Sequence, residues 1–200
     1  MQLNQYKLAS IYAILFTIFY NLSFFKNVIL TYPFEGTNII YILSIGILLP
    51  CLIIFLLTLF SSKYTTKPIL MILLIVSSFT AYFMDTYNIV IDDSMIRNSL
   101  QTNLGESADL FSFKLLAYIF FLAIIPSYFI YRIELHYGTY KEEIFAKLKT
   151  LFLSLVIILI ILFSFSKFYT SFFREHKPLR LYVNPIYWMY SIGNYVNKTL

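Results

Sequence analysis

Five strongly apolar stretches of this chain run for sixteen or more residues without a charged side chain. They cover approximately residues 8–25, 39–60, 69–84, 115–131 and 150–166. Such runs settle the solvent before they settle the fold. A bilayer core of about 30 Å is crossed by about 20 helical residues at about 1.5 Å each. In lipid, a helix satisfies its backbone groups within itself. Charged residues make up only 12% of the 200 residues, against about 25% in soluble domains. The expected fold is therefore an all-α integral membrane protein with five transmembrane helices, forming one domain over residues 1–166. Residues 167–200 read as a tail rich in aromatic and basic side chains. The first run is longer than a signal-peptide core and no small-x-small cleavage site follows it, so it reads as an uncleaved span.

Basic residues in short loops set the orientation. Lys7, Lys63, Lys67, Arg132, Lys141, Lys147 and Lys149 fall on one side; Lys26, Arg97 and Lys114 fall on the other before the tail. This predicts a cytoplasmic N-terminus, with the segment between spans three and four and the tail on the outer side. The net charge of +5 sits at the ends of apolar runs, as membrane proteins place it, and is no nucleic-acid signal. Cys51 is the single cysteine, which excludes an intramolecular disulfide and a cysteine metal cage.

The polar interruption from Tyr82 to Asp109 holds five of the ten acidic residues: Asp85, Asp92, Asp93, Glu106 and Asp109. Asp92, Asp93 or Ser94 can cap a helix beginning near Met95. Asn98, Thr102 and Glu106 then fall at i, i+4 and i+8, stacked on one face. An amide, a hydroxyl and a carboxylate there suit a zwitterionic lipid headgroup, with Glu106 pairing an ammonium and the other two donating to phosphate. The bland reading of the same spacing is a solvated face of an interfacial helix, and Gly105 can end that helix before Glu106. Asp85 reads either as a residue lining the site or as an interface residue.

In the tail, Arg174, Lys177 and Arg180 suit lipid phosphate oxygens or ordinary interfacial anchoring, aided by Phe172, Phe173, Tyr182 and Trp188. Asn184–Pro185 marks a helix start, and the residues after it suit a helix lying on the membrane. His136 and His176 fall on opposite sides in this topology. The sequence contains no HExxH, no Gly-rich phosphate loop, no GxSxG and no cysteine cluster, so no catalytic centre or metal site is expected from its own residues.

Three stretches resemble the N-terminal membrane domain of the bacterial lipid A phosphoethanolamine transferases, a sulfatase-like family that includes the mobile colistin-resistance enzymes. They are NLSFFKNVILTYP from Asn21, YFMDTYNIVIDDSMIRNSLQTNLGESADL from Tyr82, and SKFYTSFFREHKPLRLYVNPIYWMYSIG from Ser166. The resemblance implies a multi-pass protein of the bacterial inner membrane. It implies phosphatidylethanolamine as donor, lipid A as acceptor, and a periplasmic catalytic domain carrying zinc and a threonine nucleophile. Related members act on other acceptors. The family positions implicated in donor-lipid binding match Asn98, Thr102 and Glu106. Asn88 stands where the family commonly has Gly, and Asn103 where an Asp is common. No residue here matches the zinc ligands or the nucleophile, so residues 167–200 are expected to lead toward a catalytic domain acting in cis or in trans. The rival class is a non-enzymatic membrane partner that binds lipid or protein through its tail. A transporter ranks below both, because no apolar run carries a charge.

Overall fold

The computed structural model describes residues 3–101 and 111–199. Among these the order is α1 (Gln5–Phe19), α2 (Leu22–Thr31), α3 (Asn38–Phe60), α4 (Thr66–Tyr87), α5 (Asp93–Gln101), α6 (Phe113–Arg132), α7 (Tyr140–Ser164), α8 (Ser166–Glu175), a 3₁₀ turn (Lys177–Tyr182) and α9 (Ile186–Thr199). Four helices, α3, α4, α6 and α7, are long and apolar enough to cross a membrane, and α1 with α2 passes the same test only as a bent pair, a candidate for a fifth, broken span. α3 packs on α1 and α7, and α4 packs on α6.

The broken first span corrects the uninterrupted helix expected over 8–25. The axis turns by 55° between α1 and α2, around Tyr20 and Asn21. The cause is polar. Asn21 is 1% exposed, and its amide donates to the Phe16 carbonyl at 2.9 Å and to the Asn184 carbonyl at 2.7 Å. A side chain that takes a helical carbonyl for itself competes with the backbone ladder.

α7 begins ten residues before the expected fifth span, because Thr139 and Glu142 form a capping box: the Thr139 amide donates to the Glu142 carboxylate at 2.8 Å. That pairing starts a helix wherever the membrane begins. α4 likewise extends beyond 69–84. It ends at Asn88, whose φ of 55° is left-handed. The amide of Asn88 donates to Met84 and that of Ile89 to Phe83, so two last-turn carbonyls are satisfied.

α6 contains a π-helical stretch, Ile119–Ile124, leading into Pro126. Proline has no amide hydrogen for the carbonyl four residues back, which is that of Leu122. The hydroxyl of Tyr20 donates to that carbonyl, and the hydroxyl of Tyr12 donates to the Pro126 carbonyl at 2.8 Å. Tyr12 of α1 and Tyr20 at its end thus satisfy backbone that lipid could not.

The bundle has two polar ends. At the first, Gln5 donates to the Glu143 carboxylate at 2.6 Å and accepts from Thr66 at 3.2 Å, while Lys147 donates to the Leu59 carbonyl at 2.9 Å. These bonds tie α1, α3, α4 and α7 together. At the second end lie the ends of α3, α4, α6 and α7 that bear α5 and the tail.

Candidate functional site

The second end is built around Asp85, near the close of α4. One carboxylate oxygen accepts from the Ser23 amide at 3.0 Å and the Ser23 hydroxyl at 2.5 Å; the other accepts from the Tyr118 hydroxyl at 3.1 Å. Ser23 lies in the first turn of α2, where unpaired amides and the helix dipole favour an anion. Asp85 therefore fastens the broken first span to α4 and α6. Beside it, Tyr82 bonds Ser112 at 2.7 Å, and Ser112 caps α6 by accepting from the Leu115 amide at 3.1 Å. The Lys114 ammonium stands 5.9 Å from the centre of the Tyr118 ring.

α5 starts where expected, and Asp92 supplies the cap: it accepts from the Met95 amide at 2.8 Å and the Ser94 hydroxyl at 2.6 Å. Asp93 is left to pair with Lys198 at the far end of α9. The ammonium of Lys198 holds the Asp93 carboxyl below its ordinary range. Asn98 sits on α5 and is exposed. Thr102 and Glu106 lie outside the described residues, so the three-residue face is represented by Asn98 alone.

The tail carries the cations. Arg174 pairs with Glu175 at 2.8 Å, and both are exposed. That hydrogen bond, aided by one from Ser171, lowers the Glu175 pKa. Lys177 and Arg180 lie on the 3₁₀ turn and are exposed, anchored by buried Leu179. Arg180 borders an apolar cleft of about 70 Å³ lined by Leu48, Leu49, Phe172 and Val183. A cation at the rim of an apolar cleft suits a phosphate with an attached acyl chain. Asp85, by contrast, has both oxygens occupied by the bundle itself.

A second set of residues was expected to do less than it does. Asn184 is fully buried. Its amide nitrogen donates to Ser77 at 3.0 Å and its backbone amide to Asn21 at 2.9 Å. Trp188 donates to Ser77 and to the Asn184 side chain, each at 3.2 Å. Ser77 is midway along α4, so residues 184–188 are seated within the bundle. Trp188 is correspondingly 6% exposed. α9 rises from there to α5. The signal for this was a polar residue inside each of three apolar surroundings, Asn21, Ser77 and Asn184, which sequence spacing does not connect.

These features define a helical integral membrane protein whose polar second end carries an exposed amide and several cations. Residues 49–200 match the family described as phosphoethanolamine transferase EptA/EptB. The chain belongs to that family and carries its N-terminal membrane domain. It is 39% identical over 182 residues to phosphatidylethanolamine transferase Mcr-1 of Escherichia coli, covering 90% of this chain and 34% of that protein. Identity to Mcr-2 of Escherichia coli is 35% over 191 residues, covering 96% and 35%. The fold matches the integral membrane lipooligosaccharide phosphoethanolamine transferase A (EptA) of Neisseria meningitidis with a TM-score of 0.93 at 23% identity, over 100% of this chain and 38% of that one. The chain thus spans about a third of the length of these relatives.

Proposed function

We propose that this domain holds phosphatidylethanolamine as donor and presents it, with lipid A as acceptor, to a sulfatase-like catalytic domain in the periplasm, joined in cis or supplied in trans. The observation that supports this most is the match of residues 49–200 to the phosphoethanolamine transferases. The domain works by positioning. Asn98, Thr102 and Glu106 take the donor headgroup, the carboxylate meeting the ammonium and the other two donating to phosphate. Lys177 and Arg180 meet lipid phosphates at the same end, with Arg174 contributing less because Glu175 already occupies it. Zinc and the nucleophile belong to the catalytic domain, and this chain needs no cofactor of its own. The protein sits in the bacterial inner membrane with the N-terminus cytoplasmic and the second end periplasmic.

The test is phosphatidylethanolamine binding in nanodiscs. Glu106→Gln is expected to weaken binding several-fold more than Asp109→Asn, the scale of one charge-assisted contact. Equal effects from the two substitutions, or none, return Glu106 to a solvated face.

A further inference from the structure

A groove larger than the cleft at Arg180 lies apart from both features above. It has a volume of about 540 Å³ and runs between α1 and the π-helical part of α6. Its walls are apolar, among them Leu8, Ile11, Leu15, Phe19, Phe121 and Phe129. Several of these face outward: Ile11 is 45% and Phe129 57% exposed. The groove exists because α6 departs from α-helical winding there, while the hydroxyls of Tyr12 and Tyr20 close the backbone behind it.

Its dimensions and its mouth define what fits. From Leu8 to Phe19 the helix rises about 16 Å at about 1.5 Å per residue, half of the roughly 30 Å hydrocarbon core and so the depth of one leaflet. The groove begins at Leu3 and Ile133, where the His136 amide donates to the Leu3 carbonyl at 3.0 Å. The next residues of the same two segments, Asn4, Lys7 and His136, line a polar cleft together with Glu142 and Glu143. An apolar slot one leaflet deep therefore has beside its Leu3 end a cleft lined by one lysine and two carboxylates. Two carboxylates disfavour an anionic headgroup. One lysine favours a phosphate, and the carboxylates favour an ammonium.

We infer that this groove is a second lipid site: it holds the acyl chain of a zwitterionic phospholipid with a primary ammonium headgroup, phosphate toward Lys7 and ammonium toward Glu142, since Glu143 already accepts from Gln5 and from the Gly138 amide. The lipid lies at the first end of the bundle, across the protein from Asn98, and is held rather than consumed. The inference does not depend on the donor reading.

The experiment uses the whole chain in vesicles of equal parts phosphatidylethanolamine, phosphatidylcholine and phosphatidylglycerol. A photo-crosslinking benzoylphenylalanine replaces Phe129 in the groove or, as reference, Phe163 on α7, which is 76% exposed to the surroundings of the bundle. After irradiation, mass spectrometry identifies the attached lipids. Phosphatidylethanolamine adducts at position 129 are expected to exceed those at 163 by roughly threefold or more, the scale of one charge–headgroup contact at a membrane surface. Lys7→Gln, and Glu142→Gln, which keeps the capping box because glutamine serves there as well, should each reduce that excess. Equal lipid composition at the two positions means ordinary annular lipid and overturns the site. Enrichment of phosphatidylglycerol, or an excess unchanged by both substitutions, overturns the headgroup assignment. Loss of α7 cannot mimic the result, since Trp188 fluorescence of each variant reports the packed bundle independently.

Discussion

Substituting Asn21 by alanine should cost more than substituting Asn184, although the two form one network. Asn21 uses its side chain for three bonds: to Phe16, to the Asn184 carbonyl and from the Asn184 amide. Its loss strands a backbone amide and a carbonyl at a residue that is 0% exposed. A buried backbone group without a partner costs about 1–3 kcal/mol, and polar contacts within membranes average nearer 0.6–2 kcal/mol. Two such groups give about 2–4 kcal/mol. Asn184→Ala removes only the bonds to Ser77 and Trp188. The Ser77 carbonyl keeps its place in α4, and Trp188 keeps the Ser77 hydroxyl at 3.2 Å, so the cost is about 1 kcal/mol. At roughly 2–4 °C per kcal/mol for a chain of this size, Asn21→Ala should melt about 4–16 °C early and Asn184→Ala about 2–4 °C early. Trp188 is the single tryptophan and lies in the network, so its emission in detergent reports the event directly. Equal shifts, or a larger shift for Asn184→Ala, would refute the reasoning.

Asn88→Gly should leave thermal stability unchanged or raise it by about 1 kcal/mol, whereas Asn88→Val should lower it by about 1–2 kcal/mol, because a left-handed backbone suits glycine and penalises a β-branched residue. Asp85→Ala should loosen α2, seen as faster amide exchange at Ser23 and Phe24, while Asp85→Asn retains an acceptor and should show a smaller effect. Glu175 should titrate below its ordinary 4.5 by carboxyl-carbon NMR, and Arg174→Ala should return it toward that value. The sign follows from a depressed folded pKa: the contact stabilises above the unfolded pKa and is lost as pH falls through the folded one.

How far the sequence reached depends on the distance over which each cause acts. The charge-free runs are local and cumulative, and helices α3, α4 and α6 lie over the runs that begin at 39, 69 and 115. The capping pair Thr139 and Glu142 is also local; it starts α7 ten residues before the charge-free run that marked the fifth span. The break at Asn21 was not legible, because it depends on Asn184, 163 residues away. Asp85 posed the same difficulty: its choice between lining a site and fastening the bundle rests on Ser23 and Tyr118. Within α5, the cap was narrowed to three neighbours by composition, and geometry selected Asp92 because Asp93 is drawn to Lys198. Asn98 stands exposed at the second end, while Thr102 and Glu106 are known here from the sequence alone.

The most direct test of the account is the mass of lipid A. The chain is expressed in a strain lacking its own transferase, with and without a separately encoded catalytic domain of the same family. The account predicts a phosphoethanolamine increment only when the two are present together, reduced when Glu106→Gln is introduced. An increment from the catalytic domain alone, equal in size to that of the pair, would contradict a role for this domain in presenting the lipids. So would its absence from the pair when both proteins are stable in the membrane and the catalytic domain is the native one.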